Sequence, residues 1–242
     1  GEIFTTLLEA QVLIENWRFE NMPDNCKLTL ILTIKDRTAF TLRWMTYANK
    51  TAFPFKVLIA DGGKDLSLEK TLARTDHFPN VDYEYIRYPY DETYAQYYGK
   101  TADALSRVKT PFAVVGQDDD FFFIEGLQEA VDFLSKHKEY IAYNGRIDNF
   151  FIRPNTNKAY GKDVEFIRNP ADESIEDKTS TERVWKHFSN YTHTLYSVYR
   201  TEVLLKNYET LCKYNFTNLI LHELILSFLT VAQGIVKRKG QF

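Results

Sequence analysis

The sequence predicts an α/β domain with a mostly parallel central sheet and helices on both faces. Three observations predict it. Apolar, β-branched runs alternate with helical patterns four times between residues 27 and 137, which is the signature of strand–helix–strand units. The first run, residues 28–34, is apolar or β-branched throughout, as a strand buried on both faces must be. Polar clusters at Thr33 to Arg37, Asp61-Gly62-Gly63 and Asp118-Asp119-Asp120 close three of the runs. In such sheets ligands bind at the carboxyl ends of the strands.

Each element follows from local pattern. Ile3, Leu7, Leu8, Val12 and Trp17 fall at helical spacing, so residues 1–24 are expected to form an N-terminal helix or linker ahead of the main domain, 25–242. After the strand at 28–34 a helix is expected over 38–49. Residues 55–60 read as a second strand, stopped by Asp61-Gly62-Gly63, and 65–75 as a helix. A third strand is expected over 82–88. The helix at 93–108 places Ala95, Tyr98, Ala102 and Leu105 on one side. Residues 111–116 form the fourth strand, which runs into Gln117 and the aspartate triplet. A helix near 124–137 and a strand at 139–144 follow. Residues 146–181 are rich in Asn, Asp, Pro and Lys and lack a period, so they read as a long irregular stretch. Residues 195–199 predict a strand, 201–213 and 218–233 predict helices, and 235–239 a last strand.

Composition bounds the function. A chain of 242 residues, 44% hydrophobic, is long enough for one sizeable core. A net charge of −3 offers no basic surplus for nucleic acid. Cys26 and Cys212 match no metal or redox spacing and read as buried, reduced, small apolar residues. The sequons at Asn49, Asn190 and Asn215 are a common chance pattern and do not argue for secretion. No run approaches the ~20 apolar residues of a membrane span, and no signal peptide opens the chain. The expected location is the cytoplasm, with the membrane surface as the alternative. The abrupt start at Gly1 and end at Phe242 suggest a larger parent with further domains.

The residues that carry chemistry sit at the strand ends and in one late helix. Three adjacent carboxylates repel one another, so Asp118-Asp119-Asp120 after a buried strand suggests a cation; oxygen ligands suit Mg²⁺ or Mn²⁺. The plain alternative is a solvated acidic turn. Asp61 could accept hydrogen bonds from a ribose hydroxyl or a base N–H, with Gly62 and Gly63 allowing close backbone approach; a simple turn is the alternative. Lys35 and Arg37 could offset phosphate charge or hold an acidic neighbour. There is no Gly-x-Gly-x-x-Gly and no Gly-x-x-x-x-Gly-Lys-Ser/Thr, which argues against a dinucleotide fold and a P-loop. His222-Glu223 lies in an otherwise apolar helix. A carboxylate there is costly to bury unless paired or used, so Glu223 is either a general base or the exposed stripe of that helix. His193 is a further candidate metal ligand, or a structural histidine.

In order and spacing the chain resembles the inverting, family two nucleotide-sugar glycosyltransferases of the GT-A fold, over about residues 27–239 with 146–190 unmatched. The first strand with its polar end at Thr33 to Arg37, the acidic end of the second strand at Asp61, the Asp-x-Asp at Asp118 to Asp120, and His222-Glu223 in the place of the family's acidic pair, Glu223 eleven residues before Gly234, carry the resemblance. It implies a nucleotide-binding half, 25–120, and an acceptor-binding half, 121–242. Thr33, Lys35, Arg37, Asp61 and Asp118 would contact the nucleotide. Asp120 would bind Mn²⁺ or Mg²⁺ directly, Asp118 would touch the ribose or metal-bound water, and Glu223 would deprotonate the acceptor hydroxyl; His193, a candidate ligand by its own chemistry, would complete the metal set. The donor would be a nucleotide sugar, UDP-sugar being favoured, and the acceptor a glycan or glycolipid contacted by Trp185, Tyr191 and His222, with Tyr196 nearby. The chain departs from the family in two places. Its first strand end lacks the usual proline and aromatic, and the acidic pair is His-Glu where Glu-Asp is usual. A sugar-nucleotide pyrophosphorylase would share the sheet but needs a glycine-rich, arginine-bearing loop after the first strand. A catalytically inactive nucleotide- or glycan-binding domain is the other alternative.

Overall fold

The computed structural model describes residues 27–154, 162–168, 173–214, 216 and 218–239. The helix expected at 3–20, and Cys26, lie outside them. The elements are β1 (Leu28–Ile34), α1 (Thr38–Lys50), β2 (Lys56–Asp61), α2 (Ser67–Leu72), β3 (Tyr83–Arg87), α3 (Tyr94–Ser106), β4 (Phe112–Gly116), α4 (Ile124–Lys136), β5 (Tyr140–Asn144), β6 (Asp148–Pro154), β7 (Lys162–Arg168), α5 (Ser180–Ser189), β8 (Val198–Arg200), α6 (Thr201–Cys212), α7 (Leu219–Gln233) and β9 (Ile235–Arg238).

Seven strands form the central sheet in the order β3-β2-β1-β4-β8-β5-β9. The first four pair in parallel, and β5 pairs in parallel with β9. Only β8 runs against its neighbours, β4 and β5. The expected mostly parallel sheet is therefore present. Every residue of β1 is buried, because helices cover both faces. On one face Leu28, Leu30 and Leu32 meet Trp44 and Met45 of α1, Leu68 and Leu72 of α2, and Leu127 and Leu134 of α4. On the other, Ile31, Leu58 and Ala113 meet Tyr98 and Leu105 of α3, Leu204 and Tyr208 of α6, and Leu226 of α7. Trp44 is fully buried; truncating such a side chain to alanine costs about 3–5 kcal/mol.

Three of the helix starts are set by side chains. Thr93 opens α3 and Thr179 opens α5, each in a reciprocal capping box, with Gln96 and Glu182 respectively. Asn218 caps α7 by accepting from the Leu221 N–H at 3.1 Å.

Three expectations need correction. The stretch 146–181, expected as irregular, contains an antiparallel hairpin, β6 with β7, and the start of α5. The strand expected at 195–199 begins only at Val198, because Leu195 and Tyr196 form a turn in which Tyr196 takes a φ of 62°. Cys212, expected to be buried, is exposed at the last residue of α6, where the helix gives way to a turn. No helix of the described residues is long and apolar enough to cross a membrane.

Candidate functional site

One face of α1 grips the acidic tip. Thr41, Trp44 and Tyr47 lie one turn apart on a single stripe. The Thr41 hydroxyl donates to Asp118 Oδ2 at 2.9 Å, the Trp44 indole N–H to the Asp120 carbonyl at 3.1 Å, and the Tyr47 hydroxyl to the Phe122 carbonyl at 2.9 Å. Arg37, at the cap of α1, bridges two carboxylates: Nε lies 3.5 Å from Asp118 Oδ1 and a terminal nitrogen 3.0 Å from Asp119 Oδ2. Successive residues alternate, so Asp118 turns inward and is buried while Asp119 is exposed. Burial pushes the Asp118 carboxyl above the usual carboxylate range, against the opposing bonds from Thr41 and Arg37. Burial also raises Asp120, against the Tyr196 hydroxyl, Arg37 and His193. The His193 Nδ1 is buried without a hydrogen-bond partner. Among the described residues no three His, Cys, Asp or Glu side chains converge as a metal cluster.

The ends of β1 and β2 are clasped together. Thr33 Oγ1 lies 2.7 Å from the Tyr97 hydroxyl, and the Lys35 ammonium donates to the Asp91 carbonyl. Asp61 is buried and committed to its own chain. It accepts from the Gly63 N–H at 2.7 Å, the Tyr85 hydroxyl at 2.6 Å and Arg87 at 2.7 Å. The glycines beside it do make room, but for protein. A Cβ on Gly62 would stand 2.2 Å from Asp91 Oδ2. Asp91 pairs with Lys100 at 2.5 Å, both side chains being 2% exposed. Burial raises the Asp91 carboxyl and lowers the Lys100 ammonium, each opposed by the other's charge.

Glu223 projects from the second turn of α7, half-buried, and accepts from the Tyr191 hydroxyl at 2.8 Å. Its neighbour His222 is buried: the ring stacks on Tyr98, centroids 4.1 Å apart, and Nδ1 lies 2.8 Å from the Asn218 carbonyl. His222 thus serves the core. Trp185 on α5 is 76% exposed and stands apart from the cavity described next.

One cavity of about 660 Å³ is lined by residues from two stretches of the chain, 33–118 and 194–226. Thr33, Lys35, Arg37 and Asp118 line it, and so do Tyr196 and Glu223. Asp61, Asp120, Trp185, Tyr191, His193 and His222 are not among its lining residues. The volume matches a small-molecule site. The arrangement sets a cationic and acidic edge, suited to a phosphate ester with a metal, in one enclosure with a carboxylate able to take a proton. Sequence reasoning missed Asp91, Lys100 and the α1 stripe. The stripe had a signal, since residues 37, 41, 44 and 47 share one helical face; the buried pair had none, because topology alone brings it together.

No family model matches this chain, and no curated protein matches it. Solved structures do. TarS of S. aureus shares the fold with a TM-score of 0.59 at 14% identity, over 88% of this chain and 36% of that one. A TarS fragment, residues 1–349, in complex with UDP-GlcNAc gives 0.54 at 15% identity, over 89% of this chain and 60% of that one. The same fragment in complex with UDP gives 0.50 at 16% identity, over 75% and 48%. The chain spans between about a third and three-fifths of the length of these structures.

Proposed function

We propose that this chain transfers a sugar from a nucleotide-sugar donor to a hydroxyl of a glycan or glycolipid acceptor, with inversion, as one domain of a larger protein. One observation carries the reading: a single cavity is lined both by the acidic tip with its cations and by Glu223. The fold shared with TarS, crystallised with UDP and UDP-GlcNAc, supports a UDP-sugar as donor. In this reading Thr33, Lys35, Arg37 and Asp118 hold the nucleotide, and Asp61 supports them by fixing Arg87 and the Gly63 turn. Residues 25–120 form the donor half and 121–242 the acceptor half.

In this reading Asp118 and Asp120, with His193, hold Mn²⁺ or Mg²⁺; what supports it is that burial raises both carboxyls and that the His193 Nδ1 is buried without a hydrogen-bond partner. One or two carboxylates are the usual protein share for Mg²⁺, the donor's phosphates supplying more oxygens, so binding of cation and donor should be mutual. When bound, the cation neutralises charge on the departing diphosphate. Lys35 and Arg37 add positive charge at the same edge. Glu223 takes the proton from the acceptor hydroxyl as that oxygen attacks the anomeric carbon from the opposite face.

A second reading, donor binding without a metal ion, rests on Arg37, whose guanidinium already pairs with both Asp118 and Asp119. Melting curves with UDP-GlcNAc, with and without Mn²⁺, separate the two, because a ligand of the folded state raises the Tm. The cation reading expects a rise that needs both components; the Arg37 reading expects the same rise in EDTA. Glu223→Gln is expected to keep the rise and to lose donor turnover by about 10²–10⁴-fold. Absence of any response to UDP, UDP-GlcNAc or GDP-mannose sinks the proposal.

A further inference from the structure

We propose that Tyr191 is the positioning residue of Glu223, holding its carboxylate in place for the acceptor's proton. The inference rests on the reading of Glu223 as the base. Tyr191 follows α5 in a loop, yet it is fixed on several sides. Its ring stacks on Phe188, centroids 5.7 Å apart at 19°, and meets the edge of His187 at 5.3 Å. Its hydroxyl lies 2.8 Å from Glu223 Oε1 and 3.4 Å from Ser227 Oγ, one turn further along α7. Ser227 is fully buried and accepts from the Thr194 N–H at 3.2 Å, which ties the loop to the helix.

The proton count gives the direction. A phenol has one hydrogen and an ionised carboxylate has none, so the Tyr191 proton is committed to Glu223. Ser227 can then donate to the Tyr191 oxygen while accepting from Thr194. Nothing is left on Tyr191 to donate to a sugar hydroxyl, and it is not among the residues lining the cavity, although Glu223 is. The tyrosine holds Oε1 and leaves Oε2 for the incoming proton.

The test is the steady-state kinetics of UDP-GlcNAc hydrolysis by the whole chain carrying Tyr191→Phe, Glu223→Gln or both. Tyr191→Phe keeps the ring and its stacking, and the site is part-exposed, so the fold is expected to persist. Loss of the bond that orients the carboxylate is expected to lower kcat by about 3–10-fold with the donor KM unchanged. In the Glu223→Gln background the same change should cost nothing further. A kcat equal to wild type, or an equal further loss in the double variant, overturns the proposal. Turnover that is indifferent to Glu223→Gln would instead reject the base.

Discussion

The Lys100 ammonium lies 2.5 Å from the Asp91 carboxylate, and both side chains are buried. It also donates to the Ile34 carbonyl at 2.9 Å, so the pair joins the end of β1 to the loop before α3. Removing one member strands the other charge in the interior. Asp91→Asn is expected to cost about 3–5 kcal/mol in urea unfolding, and Asp91→Asn with Lys100→Met to recover most of that loss. A double mutant as unstable as the single would show that the pair matters for reasons other than charge.

Trp44 contributes both packing and a bond to the Asp120 carbonyl. Trp44→Phe keeps an aromatic ring but leaves that carbonyl without the indole donor. The expected loss is about 1–3 kcal/mol of stability, from the bond and the incomplete filling. Because Asp120 is then less firmly held, titration calorimetry of UDP-GlcNAc in Mn²⁺ should show weaker binding than wild type. Equal affinity would detach α1 from the donor site.

Acid should act on the protein and on its donor complex in opposite directions at Asp118. Burial raises this carboxyl, so its folded-state stability is fully present below the unfolded pKa of about 3.9 and is lost as pH rises through the higher folded value. Without ligand, Asp118→Asn is therefore expected to melt higher than wild type near neutrality, and the gap should close on acidification. Binding of cation and donor needs the ionised form, and wild type should lose it as pH falls through the same raised value. A gap that widens in acid would contradict the sign.

The β6–β7 hairpin stands outside the central sheet, with Phe150, Ile152, Val164 and Phe166 all at least 41% exposed. Asp148 pairs with Arg168 across its base, so a two-residue turn can replace what lies between. Excision of 149–167 in favour of Asn-Gly is expected to change the Tm by no more than about 3 °C. A cooperative loss of folding would show that the hairpin covers core.

How much could be read in advance follows from burial. Residues 28–34 and 111–116 show themselves because both faces of each strand are covered, so nearly every side chain is apolar or β-branched. The hairpin escaped because Phe150, Phe151 and Ile152 run consecutively on a strand exposed on both faces, leaving no alternation to detect. Helix α5 escaped although Thr179 and Glu182 spell its capping box, since Asn- and Lys-rich sequence precedes it. Asp118, Lys35 and Glu223 were legible because charge at a strand end or in an apolar helix is conspicuous. Asp61 was equally conspicuous and still turned out to be committed to Arg87 and Tyr85, because sequence shows that a carboxylate is present and not what satisfies it.

The late place of β8 and β9 in the chain, on either side of β5 in the sheet, orders the assembly. β1, β2, β3 and β4 are complete by Gly116 and can zip together as they emerge. β5 ends at Asn144, but its flanking strands begin only at Val198 and Ile235, so its edges wait for late chain. Refolding should accordingly be biphasic, with pulse-labelled amides of β1 to β4 protected early and those of β5 protected only once β8 has slotted in.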